Sequence, residues 1–166
     1  ANAPRRYVNL VSRLGAATLF DLSSEARRFL PPLPYADASS EYGAKFHRVM
    51  EEARKQQQKA LEATQSKQPV RILDPVKGLQ AQSLWDAGMA FSIASFLTRN
   101  PAMRVLHCNG SFHTAARLGI PEHLFRYRPS TSMLVVTMLS EKSFPKFEES
   151  KMRAVRHRLR SECASI

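Results

Sequence analysis

Cysteine is scarce in this chain: Cys108 and Cys163 are the only two in 166 residues. Two thiols build no disulfide framework, and at this separation they lack the close pairing of a zinc site. Glycine is scarce as well, with six residues. No P-loop, dinucleotide-binding glycine pattern, nucleophile elbow or HExxH occurs, which removes the common phosphate-cradling, hydride-transfer, serine-hydrolase and zinc-protease layouts. Long hydrophobic runs are missing. The longest, 87–97 and 133–139, fall short of the roughly 18–20 apolar residues that cross a bilayer. Residues 1–15 hold no continuous apolar region and carry Arg5, Arg6 and Arg13, so no secretory signal is visible. Acidic residues are the last shortage, 14 against 25 Lys and Arg. Asp86 and Glu122 are not obviously paired, which leaves a two-carboxylate hydrolase without support.

The resulting net charge of +11 favours anionic partners such as nucleic acid, anionic lipid or small anions. It is concentrated in 142–160, where Lys142, Lys146, Lys151, Arg153, Arg156, Arg158 and Arg160 face Glu148 and Glu149. A solvated surface explains such a run. So does a docking arm for a larger, RNA-containing assembly, although Phe144 and Phe147 alone make no stacking platform.

Apolar spacing gives the elements. Asn2-Ala3-Pro4 opens a helix whose Tyr7, Leu10, Val11 and Leu14 share a face, and Gly15 stops it. A short helix at 24–29 ends at Pro31-Pro32, and 31–38 crosses in extended form. A helix over 40–63 has Tyr42, Phe46, Val49 and Met50 on its apolar side, then becomes polar nearly all round. The helix at 79–99 is apolar over most of its circumference and belongs at the centre. Residues 103–108 and 133–139 read as buried strands flanking loop and short helices at 111–126, with weaker strands at 18–20 and 70–73. A strand, helical crossover and strand make a βαβ unit. The predicted fold class is therefore α/β, a largely parallel sheet flanked by helices. Two good strands are few for so many apolar helices, so the sheet is expected to be completed by an N-terminal segment or by a partner. The expected organisation is an α/β domain over 1–139, with 55–78 a polar insertion or linker, and a basic extension over 140–166.

Ligands of open parallel sheets bind beyond the carboxyl ends of the strands. The first strand ends in Cys108-Asn109-Gly110-Ser111-Phe112-His113. There Asn109 and Gly110 permit a tight turn, and His113 could hold a metal or haem iron, shuttle a proton, or simply cap the loop. Cys108 and His107 are expected to be buried in the strand and His123 to lie at the surface, while His47 and His157 sit on polar helix faces. Tyr7, Tyr35, Tyr42 and Tyr127 are packing residues or, as phenolates, ligands for ferric haem.

The segments 1–15, 29–34, 81–94 and, above all, NGSFHTAARLGIPEHL at 109–124 followed by MLVVTM at 133–138 resemble the ChaN family of haem-binding uptake proteins, in the Tiki/TraB/erythromycin-esterase-like superfamily. The resemblance rests on the Gly-x-x-His of Gly110 and His113, on Gly119-Ile120-Pro121, and on Trp85-Asp86 with Met89. It implies an α/β domain with a haem or iron pocket at the Gly110–His113 loop. His113 would be the metal ligand, with Asn109, Gly110, Tyr42 and Trp85 around the cofactor. Haem is the implied cofactor, binding is favoured over catalysis, and a homodimer is one family arrangement. The compartment implied is an organelle or the membrane-associated periplasm. The sequence departs from the family at Gly88, where a small polar residue is expected, and in lacking the N-terminal strands with the other Glu/His motif. Those departures suggest an alternative: a non-catalytic structural subunit derived from a ChaN-like domain, docked in a larger organellar assembly.

Overall fold

The computed structural model describes residues 3–63 and 74–138. Helix α1 is Arg5–Leu14, entered through Pro4; the expected cap at Asn2 lies outside the described residues. Gly15 ends it at φ +94°, a backbone state that costs side-chain-bearing residues, and its N–H bonds Val11 O at 2.8 Å. A 3-10 turn at Ala16–Asp21 occupies the weak strand expected at 18–20. Helix α2, Ser24–Arg27, begins at Ser23, whose hydroxyl accepts from the Ala26 N–H. Helix α3 is Ser40–Ala63, with the bounds expected, and α4 is Pro75–Arg99, one turn longer than expected at its start. The added turn follows from Asp74, whose carboxylate accepts from the N–H groups of Val76 and Lys77, and from Pro75, which suits a first turn. Helix α5 is Ile120–Tyr127.

Helix α4 is central, as its apolar circumference predicts. One cluster sets Ala81 and Leu84 against Tyr7, Val8 and Val11 of α1, with Leu19 and Leu30 beside them. A second sets Met89, Ala90 and Ala94 against Ile120 and Leu124 of α5. Each fully buried aliphatic side chain contributes about 1.5–3 kcal/mol, so these clusters fix both partners of α4. Helix α3 is anchored only by its first two turns, through Tyr42, Gly43 and Phe46. Val49 and Met50, expected on the same apolar face, are exposed, and the polar second half stands in solvent. Of the polar stretch 55–78, residues 55–63 continue α3 and 75–78 begin α4; 64–73, with the candidate strand at 70–73, and the basic segment 142–160 lie outside the described residues.

The largely parallel sheet is not found, and this corrects the α/β assignment: the described residues form helices and extended chain, with no strand among them. The residue types at 103–108 and 133–138 are right for strands, but a strand exists only through a neighbour's hydrogen bonds. Neither segment has a strand partner among the described residues. Leu106 is 91% exposed and Leu134 88%. Along 131–138 half-buried and exposed residues alternate, the period of a strand with one face laid on the protein, and Met133 packs on the α4–α5 cluster. Open edges of this kind accept strands from other chains. Two expected burials fail for the same reason: without a sheet, Cys108 and His107 are exposed. No helix among the described residues is long and apolar enough to cross a membrane.

His123 is misplaced in the opposite sense. It was expected at the surface and is buried, because it shares the inner face of α5 with Ile120 and Leu124. Its Nε2 lies 3.2 Å from Ser83 Oγ, while neither its Nδ1 nor the Tyr127 hydroxyl has a partner among the described residues. Burial, helped by the Arg126 charge, lowers its pKa to about 4. The unfolded chain, with a histidine near 6.5, therefore binds the proton first. Stability should be full above that value and fall by about 3 kcal/mol as pH drops from 6.5 to 4. Urea midpoints measured across this window should show the slope in the native chain, and His123→Asn should flatten it.

Candidate functional site

The site is assembled on one face of α4. Gln82, Trp85, Asp86 and Met89 recur at the three- and four-residue spacing that aligns side chains on a helix. Helix α3 brings Tyr42 and Lys45 to this face, and the loop after the first extended segment brings His113. That loop makes a 3-10 turn at Ser111–His113, closed by the His113 N–H on Gly110 O at 3.0 Å.

At the centre is Asp86, whose side chain is 0% exposed. A carboxylate that deep must be partnered. The Tyr42 hydroxyl donates to Oδ2, and His113 Nδ1 lies 2.5 Å from Oδ1. The Gln82 amide nitrogen is 3.1 Å from the same Nδ1. A ring nitrogen carries one proton or one lone pair, so one of these two contacts is the hydrogen bond. The shorter, to a buried carboxylate, prevails. Nδ1–H then donates to Asp86, and the tautomer leaves Nε2 with a lone pair. Burial raises the Asp86 carboxyl above its ordinary pKa, while the bonds from His113 and Tyr42 pull it back. Burial and the Asp86 charge hold the Tyr42 phenol far above its ordinary value.

The loop is pinned from three sides. Lys45 Nζ donates to Phe112 O at 2.6 Å and Ala115 O at 3.0 Å, and lies 4.8 Å from the Phe112 ring centre. The Thr114 hydroxyl donates to Asn109 Oδ1 at 3.2 Å. Ala116 and Arg117 sit at φ +61° and +60°, local strain that a loop keeps only when its surroundings impose it. Gly119, at φ +73°, closes the floor. A Cβ there would stand 2.7 Å from Asp86 Oδ2, 2.7 Å from His113 O and 2.9 Å from Tyr42 Cε2. The Gly119 N–H is held by the Glu122 carboxylate at 2.7 Å, so the site's backbone also starts α5.

Of the residues singled out in the sequence, His113, Tyr42 and Trp85 converge. Trp85 packs edge-on to the His113 ring at 6.5 Å between centres. Asn109 braces the loop from outside. Gly110 needs no glycine-specific conformation, and an added Cβ would meet only His113 Cδ2 at 3.8 Å. Tyr42 stands behind His113, its hydroxyl committed to Asp86. Sequence reasoning passed over Asp86, Gln82, Lys45 and Gly119 as site residues. A signal for Asp86 was present: it is the one charged residue in the apolar stretch from Leu84 to Phe96. Among the described residues no group of three or more His, Cys, Asp or Glu could hold a bare metal ion.

The site is thus a partly exposed imidazole oriented by a buried carboxylate, on a helical frame with aromatic side chains beside it. The model of the haem-binding uptake family ChaN, Tiki superfamily, matches residues 1–124, and the chain belongs to this family. No curated protein and no solved structure matches it.

Proposed function

We propose that this chain binds haem as cargo, with His113 Nε2 as the iron ligand. The observation that supports this most directly is the division of labour on the His113 ring. Nδ1 is clamped to the fully buried Asp86, Nε2 has no hydrogen-bond partner among the described residues, and the side chain is 21% exposed. Metal-ligating histidines have this outer partner, which fixes the tautomer and raises the basicity of the free nitrogen. The donor set thus fits a porphyrin iron, which needs a single axial base from the protein, and Trp85 and Phe112 supply aromatic surface next to it. Haem-binding uptake is the family's description, and cargo binding needs no further catalytic group. Tyr42 supports from behind: its raised pKa keeps it a neutral donor to Asp86, which disfavours direct phenolate ligation.

Titrating the purified chain with hemin tests the proposal. A saturable Soret shift is expected, with affinity at least about tenfold weaker in His113→Ala, since the iron then loses its protein base. An unchanged titration in that variant would remove His113 from the role. A chain giving no shift at all would leave the structural-subunit reading, which draws on the open edges of 103–108 and 131–138.

A further inference from the structure

Helix α4 has a second functional face. Gly88 follows Asp86 by two residues, about 200° around the helix, so it points away from the His113 site. From it runs a stripe of Gly88, Phe91, Ser92, Ser95, Phe96 and Arg99, spaced three, one, three, one and three residues apart. Helix α1 covers the first half of α4, and the chain entering it sets Ala3 against Gly88, so the stripe is half-buried to exposed only from Phe91 onward. The chain at Arg28, Phe29, Leu30 and Pro31 runs beside it and makes the other wall of a groove of about 550 Å3. The stripe spans eleven residues, about 16 Å at the helical rise, so the groove is a trough rather than a bowl.

Its chemistry is two-part. Phe29, Leu30, Phe91 and Phe96 give an apolar floor and walls; Phe29 is 60% exposed, with the Arg6 guanidinium 5.9 Å from its ring centre. Among the described residues Arg28 and Arg99 are the charged ones that line the groove, and no carboxylate does. Neither guanidinium has an ion-pair or hydrogen-bond partner among the described residues. Among the described residues no histidine, tyrosine, cysteine or methionine lines it to offer haem iron a ligand. Small-molecule sites of roughly 300–1,000 Å3 combine an apolar lining with a few placed polar groups in this way.

We propose that this groove binds a free long-chain carboxylate, the acyl chain lying along the Phe91–Phe96 stripe and the carboxylate held by Arg28 and Arg99. Length and charge favour this occupant. A trough takes an extended chain better than a compact solute, and two unpaired guanidiniums select a terminal anion. The site is independent of haem binding at His113, on the other side of α4.

Calorimetric titration of the full chain with octanoate, dodecanoate and dodecyltrimethylammonium at low salt tests it. Dodecanoate should bind one to one, octanoate more weakly, and the cation of equal chain length at least about tenfold more weakly. Arg28→Gln and Arg99→Gln should each weaken dodecanoate about fivefold and together about thirtyfold. The Lys variants at both positions should keep most of the affinity, and unchanged thermal midpoints would confirm that the variants fold. Equal binding of the anion and the cation, or undiminished binding in the double Gln variant, would overturn the proposal. So would association only with vesicles of dioleoylphosphatidylglycerol, which would make the groove a membrane contact. A dimer that Phe96→Asp dissociates, in a chain that binds no dodecanoate, would make it a protein interface.

Discussion

Gly119→Ala should lower stability by about 2–4 kcal/mol and disorganise the His113 loop, a large effect for one added methyl group. Two costs combine. The residue holds φ +73°, where an L side chain loses about 1–2 kcal/mol. Its Cβ would also press on Asp86 Oδ2, His113 O and Tyr42 Cε2, all within 3 Å. Forcing atoms into a packed site costs about 1–3 kcal/mol more. Two of those neighbours belong to the hydrogen-bonded set on Asp86 and the third is backbone, so none can swing aside as the end of a flexible surface chain would. Urea denaturation measures the loss. Gly110→Ala is the control from the same loop: at φ −65°, with its nearest contact at 3.8 Å, it should change stability by less than about 0.5 kcal/mol. Equal effects at the two glycines would mean that Gly119 does not form the floor described above.

The contrast between these glycines shows what the sequence could reveal. Periodicity placed α3 and the centrality of α4 because both depend on local spacing, and the Gly-x-x-His pattern pointed to the loop whose His113 meets Asp86. It could not say which glycine carries the constraint. The demand on Gly119 comes from Tyr42 and Asp86, 77 and 33 positions away along the chain, and no local pattern encodes that meeting. The sheet was overread for a related reason. The β-branched and apolar residues at 131–138 carry the strand-like alternation of half-buried and exposed positions, but pairing needs a second edge, and the described residues contain none to meet it. His123, by contrast, was legible and misread: Ile120, His123, Leu124 and Tyr127 lie at helical spacing, which puts the imidazole inward. Asp86 shows how a buried site can be found without an alignment. A lone carboxylate inside an apolar helix must be satisfied by something distant, so it marks a place where the fold converges.

That convergence sets the expectation for Asp86 itself. Asp86→Ala should cost about 1–3 kcal/mol, the usual consequence of leaving a buried hydrogen-bond donor without its acceptor. It strands the Tyr42 hydroxyl in the interior, with only the Gln82 amide near, and leaves a cavity under His113. Asp86→Asn separates packing from function. It keeps the volume and one acceptor oxygen, so stability should fall by only about 1–2 kcal/mol. Its amide group, however, cannot act as a carboxylate toward both Nδ1–H and the tyrosine hydroxyl. His113 is then free to take the other tautomer, with the proton on Nε2, where it blocks a metal. Hemin affinity should consequently drop roughly 10–100-fold in a chain that remains folded, the range seen when an outer partner of a ligating histidine is lost. Nitrogen-15 spectra of the His113 ring provide a readout that needs no haem: an Nδ1–H tautomer in the native chain and a mixture in Asp86→Asn. If the variant keeps the native tautomer yet loses hemin, Asp86 acts by some route other than orienting the ring. If it loses the tautomer and binds hemin unchanged, Nε2 is not the ligand.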